Sequence, residues 1–570
     1  MIMQCAFISG DANVEIDPSL YDEADICINP SFCGTLQGGA GIAATDFLLY
    51  VTAQATPLCS SGTLAYAIGC RHDRIERPTM GRTNFCPLSI NAGSRSSLVA
   101  TAVHEVLHAL GFSSSYFWRW RDPDTLQPLT PRQFGFDGPP VPSLVGECEG
   151  RSVLFPAPSV ADTFAERGLD RCDALEKRFT ASNCVSKVVT GTAVQAARWF
   201  TGCPSLQGIE LENHVPGSCH SVGSHLEQRL YENNIMAPFL STGSRHSLGM
   251  TAPVLAMMQD SGWYRANWTA QDTYIPGADW GFKQGCEFAA NGRCIDSQGA
   301  VPPQSEGRFC TNAAEALCSS DHKWRSVCNI RNFDNTLPLA YRYFSNPRRG
   351  GIEQYDYCPV VQRASNGDCL HPTENAPNAL FGTQQGASSR CFPGTAVSAS
   401  VSSSAGGLSA RCMRVQCEPH AGTSSGAAAR VYFFNSAGPD DSVLCIQAGV
   451  VAAPDGFHGT ITCPDPAQLC GAAAPAFRPT SPTASVTPSD SPTASVTPSD
   501  SPTASITTSS TPSPVSATPS PTLTASGSST ASVATGSPSA TGSSSATATA
   551  TATASGSSTA SVATGSPSAT

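Results

Sequence analysis

Two histidines and a glutamate are spaced so that they could bind and use a metal ion. The segment HEVLH at 104–108 places His104 and His108 four residues apart, on one face of an α-helix. Two imidazoles on one helix face are typical of zinc sites, and Glu105 between them reaches the same groove without being a ligand. Zinc acidifies a nearby water molecule and the carboxylate takes its proton, so the pattern predicts hydrolysis of a peptide carbonyl.

A third zinc ligand is expected further along the chain. Gly111 follows His108 by three residues, where a glycine ends the helix and lets the chain turn back. In the compact metzincin pattern a histidine comes three residues after that glycine, but Ser114 occupies this position. The downstream candidates before residue 250 are His214, His220, His225 and His246.

A methionine favours one of these histidines. Metzincins place a methionine in a tight turn under the metal, after the third histidine. Met236 is followed closely by Pro238, which breaks regular structure, and His225 precedes Met236 by 11 residues. We therefore favour His225 as the ligand and interpret the other three histidines as structural.

A thermolysin-like arrangement is the alternative. There the third ligand is a glutamate in E-x-x-x-D on a second helix, and Glu166 to Asp170 has that spacing. Gly168 lies inside this segment and weakens a helix by ~1 kcal/mol relative to alanine.

Simple periodicity predicts the elements that would position these residues. The apolar, β-prone run 45–53 predicts a buried strand, and the spacing of apolar residues over 94–110 predicts a helix around the HEVLH segment. Residues 252–263 predict a second amphipathic helix ending at Gly262. The stretch 115–220 is rich in Pro and Gly and predicts loops.

Cysteine usage indicates an oxidising compartment. The chain has 24 cysteines, all between Cys5 and Cys470, and C-x-x-C pairs are missing, which favours disulfides over metal-binding cysteines. Yet the first ten residues, MIMQCAFISG, lack the basic start of a signal peptide. We therefore expect an extracellular or cell-surface protein whose sequence here lacks its true N-terminus.

Charge and hydropathy exclude two classes of protein. A net charge of -11 disfavours a nucleic-acid-binding surface, which needs basic residues to neutralise phosphates. No run of 18 apolar residues exists, so membrane attachment is expected only through a segment not present in this sequence.

The last hundred residues have a separate character. After Arg478 the chain is rich in Ser, Thr, Pro and Ala, and SPTASVTPSD occurs at both 481–490 and 491–500. Such a composition cannot bury enough apolar surface to fold, which predicts a disordered, O-glycosylated stalk, with an unmodified linker as the alternative. Asn267-Trp268-Thr269 is a candidate N-glycosylation site.

Several segments together resemble the leishmanolysin metallopeptidases, a metzincin branch. They cover most of residues 20–470, and they are TDFLLYV at 45–51, HEVLHALGF at 104–112, GSHLEQRL at 223–230, IMAP at 235–238, MMQDSGWY at 257–264, YDYCPVV at 355–361 and ITCP at 461–464. The resemblance implies a zinc endopeptidase that acts on proteins or peptides. It implies one zinc ion per chain bound by His104, His108 and His225, with Glu105 as the general base and Met236 in the turn.

The chain departs from this family in three places. The segment between Gly111 and His225, 112–224, is 113 residues long, more than the family usually carries. By the same comparison we expect that the family's pro-segment and the first part of its catalytic domain are not part of this sequence. The repeat tail lies outside the family's shared region. Four aromatic residues in the long segment could cover the cleft or form packed loop core: Tyr116, Phe117, Trp118 and Trp120.

These observations define an expected architecture. We predict an α+β, metzincin-like catalytic region over 1–265, with a mixed twisted sheet above the active-site helix. A cysteine-rich domain is expected over 266–475 and the stalk over 476–570. The alternative function is a catalytically silent surface adhesion protein on a glycosylated stalk. The intact Glu105 disfavours it, because a silent site has no need of a base.

Overall fold

The computed structural model describes residues 39–132, 184–212, 223–239 and 248–480, apart from gaps of one to three residues. Of residues 1–38 and 133–183 it describes Val160 and the backbone of seven strands. The described residues belong to the first of two units, Met1–Thr487, and the second unit is Pro488–Thr570. Helices and strands occur together throughout the described part, which is therefore α+β, as expected.

The N-terminal strands form two hairpins and one mixed sheet. The hairpins pair β1 (Gln4–Cys5) with β2 (Val14–Glu15), and β3 (Ala24–Asn29) with β4 (Phe32–Leu36). The mixed sheet is built from β5 (Leu48–Thr52), β6 (Ala65–His72) and β7 (Pro78–Phe85). Strand β7 lies in the middle, parallel to β5 and antiparallel to β6. Strand β5 confirms the strand predicted over 45–53.

Two helices follow the mixed sheet, α1 (Pro87–Ala92) and α2 (Arg95–Ala109). Helix α2 confirms the helix predicted around HEVLH and packs against β6 and β7. Gly69 and Gly81 are paired across these two strands. A Cβ atom on Gly81 would lie 2.9 Å from the Cβ of Ala109, and one on Gly69 would lie 3.3 Å from the Ala109 carbonyl. The absence of side chains at the two glycines thus lets the helix lie close to the sheet.

The stretch expected to be loop-rich contains a helix. Helix α3 (Gly191–Thr201) packs against α5 (Ala252–Asp260), with buried alanines on both helices. Small side chains allow the close approach, and the Asp260 carboxylate accepts a hydrogen bond of 2.9 Å from the Ala193 N–H at the start of α3. The prediction of loops over 115–220 is therefore wrong for this segment. Helix α5 confirms the helix predicted from residue 252.

The remaining elements of the first half are short. The long segment contains a hairpin of β8 (Leu144–Cys148) and β9 (Arg151–Phe155). A three-stranded antiparallel sheet follows, made of β10 (Ala161–Ala165), β11 (Cys184–Val188) and β12 (Ile209–Glu210). Three further short helices are α4 (Gln228–Tyr231), α6 (Gly285–Ala289) and α7 (Pro466–Cys470).

Residues 286–470 show little periodicity, yet their described part contains thirteen strands. Five strands come first: β13 (Leu317–Cys318), β14 (Trp324–Asn329), β15 (Arg331–Asn332), β16 (Arg349–Gly350) and β17 (Val360–Asp368). The other eight are β18 (Ser389–Gly394), β19 (Val397–Ser398), β20 (Ser409–Pro419), β21 (Ala427–Phe433), β22 (Asp441–Cys445), β23 (Gly449–Ala452), β24 (Phe457–His458) and β25 (Thr460–Cys463).

The largest sheet in the described part has six strands, in the order β22-β21-β20-β18-β25-β23. Its two edge strands follow one another in the chain, with only residues 446–448 between them. The four Cα–Cα steps from Cys445 to Gly449 span at most about 14 Å, so the sheet must curl until its edges approach each other. The curled sheet encloses its own apolar core, which includes Phe392, Met413 and Val431.

Eight disulfides join pairs of described cysteines, and no described cysteine is free. This confirms the disulfide prediction. The pairs are Cys59–Cys86, Cys203–Cys286, Cys294–Cys358, Cys310–Cys328, Cys318–Cys391, Cys369–Cys412, Cys417–Cys470 and Cys445–Cys463.

Packing crosses the expected domain boundary at residue 265. One apolar cluster runs from Leu107 to Val360, and the Cys203–Cys286 disulfide also joins the two sides. The core of the six-stranded sheet begins at Phe392. The domain boundary at residue 265 stays a prediction.

The chain returns to the helices α3 and α5 at its last described residues. Phe477 is 4 % exposed and packs against Trp199 and Trp268, with ring centroids 5.5 and 5.2 Å apart. The Gln271 side-chain amide bonds both the N–H and the carbonyl of Phe477, each at 2.9 Å. Packing thus continues just past residue 475, and the rest of the expected stalk, 481–570, lies outside the described residues.

Two truncations test this end of the fold. Removing 481–570 should leave the melting temperature unchanged, because the packed segment is kept. Removing 476–570 should lower the free energy of unfolding by about 3 kcal/mol, since it exposes the pocket that Phe477 fills. Denaturant unfolding of both truncated proteins measures the difference. Equal stability of the two would show that Phe477 contributes nothing to the fold.

Candidate metal centre

The three favoured histidines meet at one point. His104 and His108 lie in the last two turns of α2, and His225 comes from a segment 117 residues further on. The Nε2 atom of His108 lies 3.0 Å from the Nε2 of His104 and 3.0 Å from the Nε2 of His225. The three nitrogens could therefore all bind a single ion. A zinc–nitrogen bond is about 2.0–2.1 Å long, which suits this spacing.

The opposite nitrogen of each ring is hydrogen-bonded. The Nδ1 of His104 lies 2.6 Å from the carbonyl oxygen of Ile235, and the Nδ1 of His108 lies 2.6 Å from that of Phe112. A carbonyl only accepts, so these Nδ1 atoms carry the protons and the Nε2 atoms present lone pairs. The imidazoles are thus fixed in the tautomer that binds a metal through Nε2.

This arrangement fits a cation. Lone pairs 3.0 Å apart repel one another unless a positive charge lies between them. Burial, together with the neighbouring His225, lowers the pKa of His104 to about 3. Burial first, and then the other two histidines, lower the pKa of His108 well below its usual value. Protonation therefore cannot relieve the repulsion near neutral pH. A metal ion with a preference for neutral imidazole, such as zinc, fits the three ligands.

Glu105 lies between the two helical histidines and is 4 % exposed. Its Oε2 atom is buried without a hydrogen-bond partner among the described residues. Burial raises the pKa of Glu105 to about 8. A buried carboxylate whose oxygen makes no bond within the described protein is available to a water molecule or a substrate.

Gly111 shapes the end of the helix. Its φ of +106° is in the left-handed region, and a Cβ atom there would lie 2.8 Å from the Trp263 ring. The turn lets the Phe112 N–H bond the Leu107 carbonyl at 2.9 Å. It thereby brings the Phe112 carbonyl back to His108. Gly111 fixes the orientation of one histidine as well as the direction of the chain.

Met236 lies in a tight turn next to Ile235 and is fully buried. The Asn234 side chain accepts a hydrogen bond of 2.8 Å from the Met236 N–H. The Met236 carbonyl accepts a hydrogen bond of 2.9 Å from the N–H of Leu226, the residue after His225. Because the carbonyl of Ile235 holds His104, this one turn supports two of the three histidines.

The long segment begins and ends at the same place. The Ser224 hydroxyl lies 3.2 Å from the Ser113 hydroxyl and 3.1 Å from the Ser114 hydroxyl. Ser114, the position of the third ligand in the compact pattern, thus lies beside the residue that precedes His225. This contact explains how 112–224 can be inserted without displacing the third histidine.

The aromatic residues at the start of the long segment are mostly core. Tyr116, Phe117 and Trp120 are at most 5 % exposed and belong to the main apolar cluster. Trp118 is held between two guanidinium groups, those of Arg119 at 4.2 Å and Arg132 at 4.7 Å from the ring centroid. The interpretation as packed loop core is confirmed for the three buried rings.

The part of the chain after His225 is anchored to the cysteine-rich half. Arg229 on α4 is 1 % exposed, its Nε lies 3.2 Å from the Asp356 carboxylate and its Nη1 donates to the Phe288 carbonyl at 3.0 Å. A buried guanidinium held from two sides has little freedom to move. The cysteine-rich half therefore helps to fix the segment that carries the third histidine.

Sequence reasoning missed three groups at the centre. The carbonyls of Ile235 and Phe112 have no signature in the sequence, because any residue supplies a carbonyl. Glu212 lies 2.7 Å from the Nδ1 of His225, and no motif singles it out. The other candidate ligands, namely His214, His220, His246 and Glu166, lie outside the described residues.

Three converging imidazoles beside a buried glutamate form a group that could hold a metal ion. The chain belongs to the leishmanolysin family, which it matches over residues 21–476. Leishmanolysins are zinc metalloendopeptidases, and the family assignment agrees with the resemblance seen in the sequence.

Individual relatives show the same relationship. A leishmanolysin-like peptidase of Drosophila pseudoobscura pseudoobscura is 30 % identical over 386 residues, which cover 63 % of this chain and 53 % of the relative. One of Caenorhabditis briggsae is 31 % identical over 384 residues, 62 % of this chain and 53 % of the relative. Leishmanolysin of Leishmania major is 27 % identical over 443 residues, 75 % of this chain and 60 % of the relative. The chain thus spans about half the length of the curated relatives it matches.

Within the described residues, no helix combines the length and the apolar character needed to cross a bilayer.

Proposed function

We propose that this protein is a zinc-dependent metalloendopeptidase with one zinc ion per chain, bound by His104, His108 and His225. The observation that carries the proposal is the convergence of three Nε2 atoms, with that of His108 3.0 Å from each of the other two, in rings whose Nδ1 atoms are held by other groups. Family membership supports the same metal and the same reaction. A metzincin-like arrangement agrees with the mixed sheet over α2 and the buried Met236 turn.

Glu105 acts as the general base in this proposal. Zinc, when bound, polarises the scissile carbonyl and makes a water molecule in the site more acidic. The Glu105 carboxylate takes a proton from that water as the water attacks the carbonyl, and passes the proton to the leaving amine. Its buried Oε2, which has no partner among the described residues, is free to accept the proton.

The proposed substrates are proteins or peptides outside the cell or at its surface. Eight disulfides within the described residues support an oxidising compartment, where such substrates occur. Peptide hydrolysis needs only water as the second reactant, so no organic cofactor is required.

Metal removal tests the proposed function. The full chain should cleave an internally quenched peptide, lose this activity in 1,10-phenanthroline and regain it when one equivalent of zinc is restored. Magnesium added at the same concentration should not restore activity, because it prefers oxygen ligands to imidazole. The measurement is peptide fluorescence together with zinc content by mass spectrometry.

Two outcomes would contradict the proposal. Hydrolysis that continues after zinc has been removed would show that the histidine centre is not the active site. A folded protein that binds zinc without cleaving any peptide in a diverse library would instead favour the catalytically silent adhesion protein.

A further inference from the structure

The three histidines of the centre are held by two kinds of group. His104 and His108 contact backbone carbonyls, whereas the Nδ1 of His225 lies 2.7 Å from Oε1 of the Glu212 carboxylate. A carboxylate side chain is an acceptor of a different kind from a backbone carbonyl, and an ionised carboxylate accepts the stronger hydrogen bond. The third histidine therefore differs electrostatically from the other two.

We propose that Glu212 is a positioning residue that orients the His225 ring and strengthens its bond to zinc. This inference rests on the proposed zinc site. In metal centres a carboxylate that accepts the distal N–H of a ligating histidine fixes the tautomer and makes the other nitrogen a better donor. Glu212 neither touches the substrate nor binds the metal in this proposal.

The backbone holds Glu212 at the right place. The Glu212 N–H donates to the His225 carbonyl at 3.0 Å, and the Glu212 carbonyl accepts from the Gly223 N–H at 3.0 Å. The N–H of the preceding residue, Leu211, donates to the carbonyl of Ser186 in strand β11 at 2.9 Å. The two partners are thus linked through both backbone and side chain, which leaves the His225 ring little freedom to rotate.

Burial makes the contact strong. The Glu212 side chain is 3 % exposed and the His225 side chain 12 %, so water competes poorly for either group. Glu105 must stay free to move a proton, so Glu212 is the acidic side chain that can stay permanently bonded to a ligating histidine.

Substitutions at Glu212 separate orientation from charge. Glu212→Gln keeps the shape and an accepting oxygen but removes the charge, and Glu212→Ala removes both. In the full-length protein, competition with a chromophoric chelator should show zinc bound about 10-fold more weakly by Glu212→Gln and up to about 100-fold more weakly by Glu212→Ala. The visible spectrum of the cobalt-substituted proteins should change in the same order, because it reports the ligand field directly.

Glu210→Gln is the matched control. Glu210 is two residues away and 1 % exposed, and its carboxylate faces Lys187 and Arg229 instead of the centre. The Glu210→Gln variant should have a lower melting temperature, but its zinc affinity and the spectrum of its cobalt form should stay unchanged. Equal weakening in Glu210→Gln would show a general effect of a lost buried charge and overturn the proposal.

The two proposals fail in different ways. If wild-type protein binds no zinc, the proposed function itself is wrong. If wild-type protein binds zinc and folded Glu212→Gln binds it within twofold as tightly, only the role of Glu212 is wrong. Should Glu212→Ala fail to fold, Glu212→Gln, which keeps the side-chain volume, still decides between these outcomes.

Discussion

Replacing Glu105 by glutamine should lower peptide turnover by about 10²–10⁴-fold or more while the protein keeps its zinc. The substitution preserves the volume of a side chain that is 4 % exposed and removes the only group we expect to accept the proton of the attacking water. Zinc should stay at one per chain, because the histidine nitrogens and not Glu105 bind it. Turnover of a quenched peptide and metal analysis of the same sample give the two values.

Glu232→Gln is a suitable control for this experiment. Glu232 is 7 % exposed, and burial raises its pKa to about 7, so glutamine imitates its protonated form. No contact joins it to the zinc histidines within the described residues, and we expect full activity. Full activity of Glu105→Gln would exclude the proposed base, and loss of zinc from that variant would make Glu105 a ligand.

Elements with a regular apolar pattern could be predicted from the sequence. Helix α2 (Arg95–Ala109) lies within the predicted 94–110, and β5 (Leu48–Thr52) lies within the predicted 45–53. Their patterns depend on neighbouring residues alone, so a window of the sequence contains the whole signal. Helix α3 (Gly191–Thr201) has such a pattern too, but it lies among the Gly and Pro residues of a long segment that reads as loops.

The short strands of the cysteine-rich half could not be predicted in the same way. Most have few residues and obtain their stability from partners far away in the sequence, as when β18 pairs with β25 through Gly394 and Ile461. Disulfide pairing has the same property, since 24 cysteines allow very many connectivities. Both depend on the folded arrangement, which no local window contains.

In the candidate site, too, residues in a local motif could be predicted and residues that meet only in the folded chain could not. The HEVLH segment on one helix could be recognised because i and i+4 share a face. The Met236 turn could be recognised only together with His225, which lies 11 residues earlier in the sequence. Glu212 and the carbonyls of Ile235 and Phe112 were missed, because their role depends on which ring nitrogen they meet.

Replacing His225 by alanine should abolish both zinc binding and activity. A catalytic zinc centre uses three protein ligands and keeps one position for water, so two histidines from α2 are not enough. His225 is the described histidine from outside α2 whose Nε2 lies 3.0 Å from that of His108. His225→Gln should have the same effect with less change in volume, which guards against a variant that does not fold.

The competing ligands provide the control variants. Alanine at His214, His220 or Glu166 should leave zinc near one per chain, because the three Nε2 atoms of the described centre already complete a catalytic ligand set. Metal analysis of the purified proteins, with circular dichroism to establish that each is folded, distinguishes the possibilities. A folded His225→Ala protein with full zinc would refute the assignment of the third ligand. Zinc loss in Glu166→Ala instead would point to a thermolysin-like site, where the same base and the same two helical histidines work with a carboxylate as third ligand.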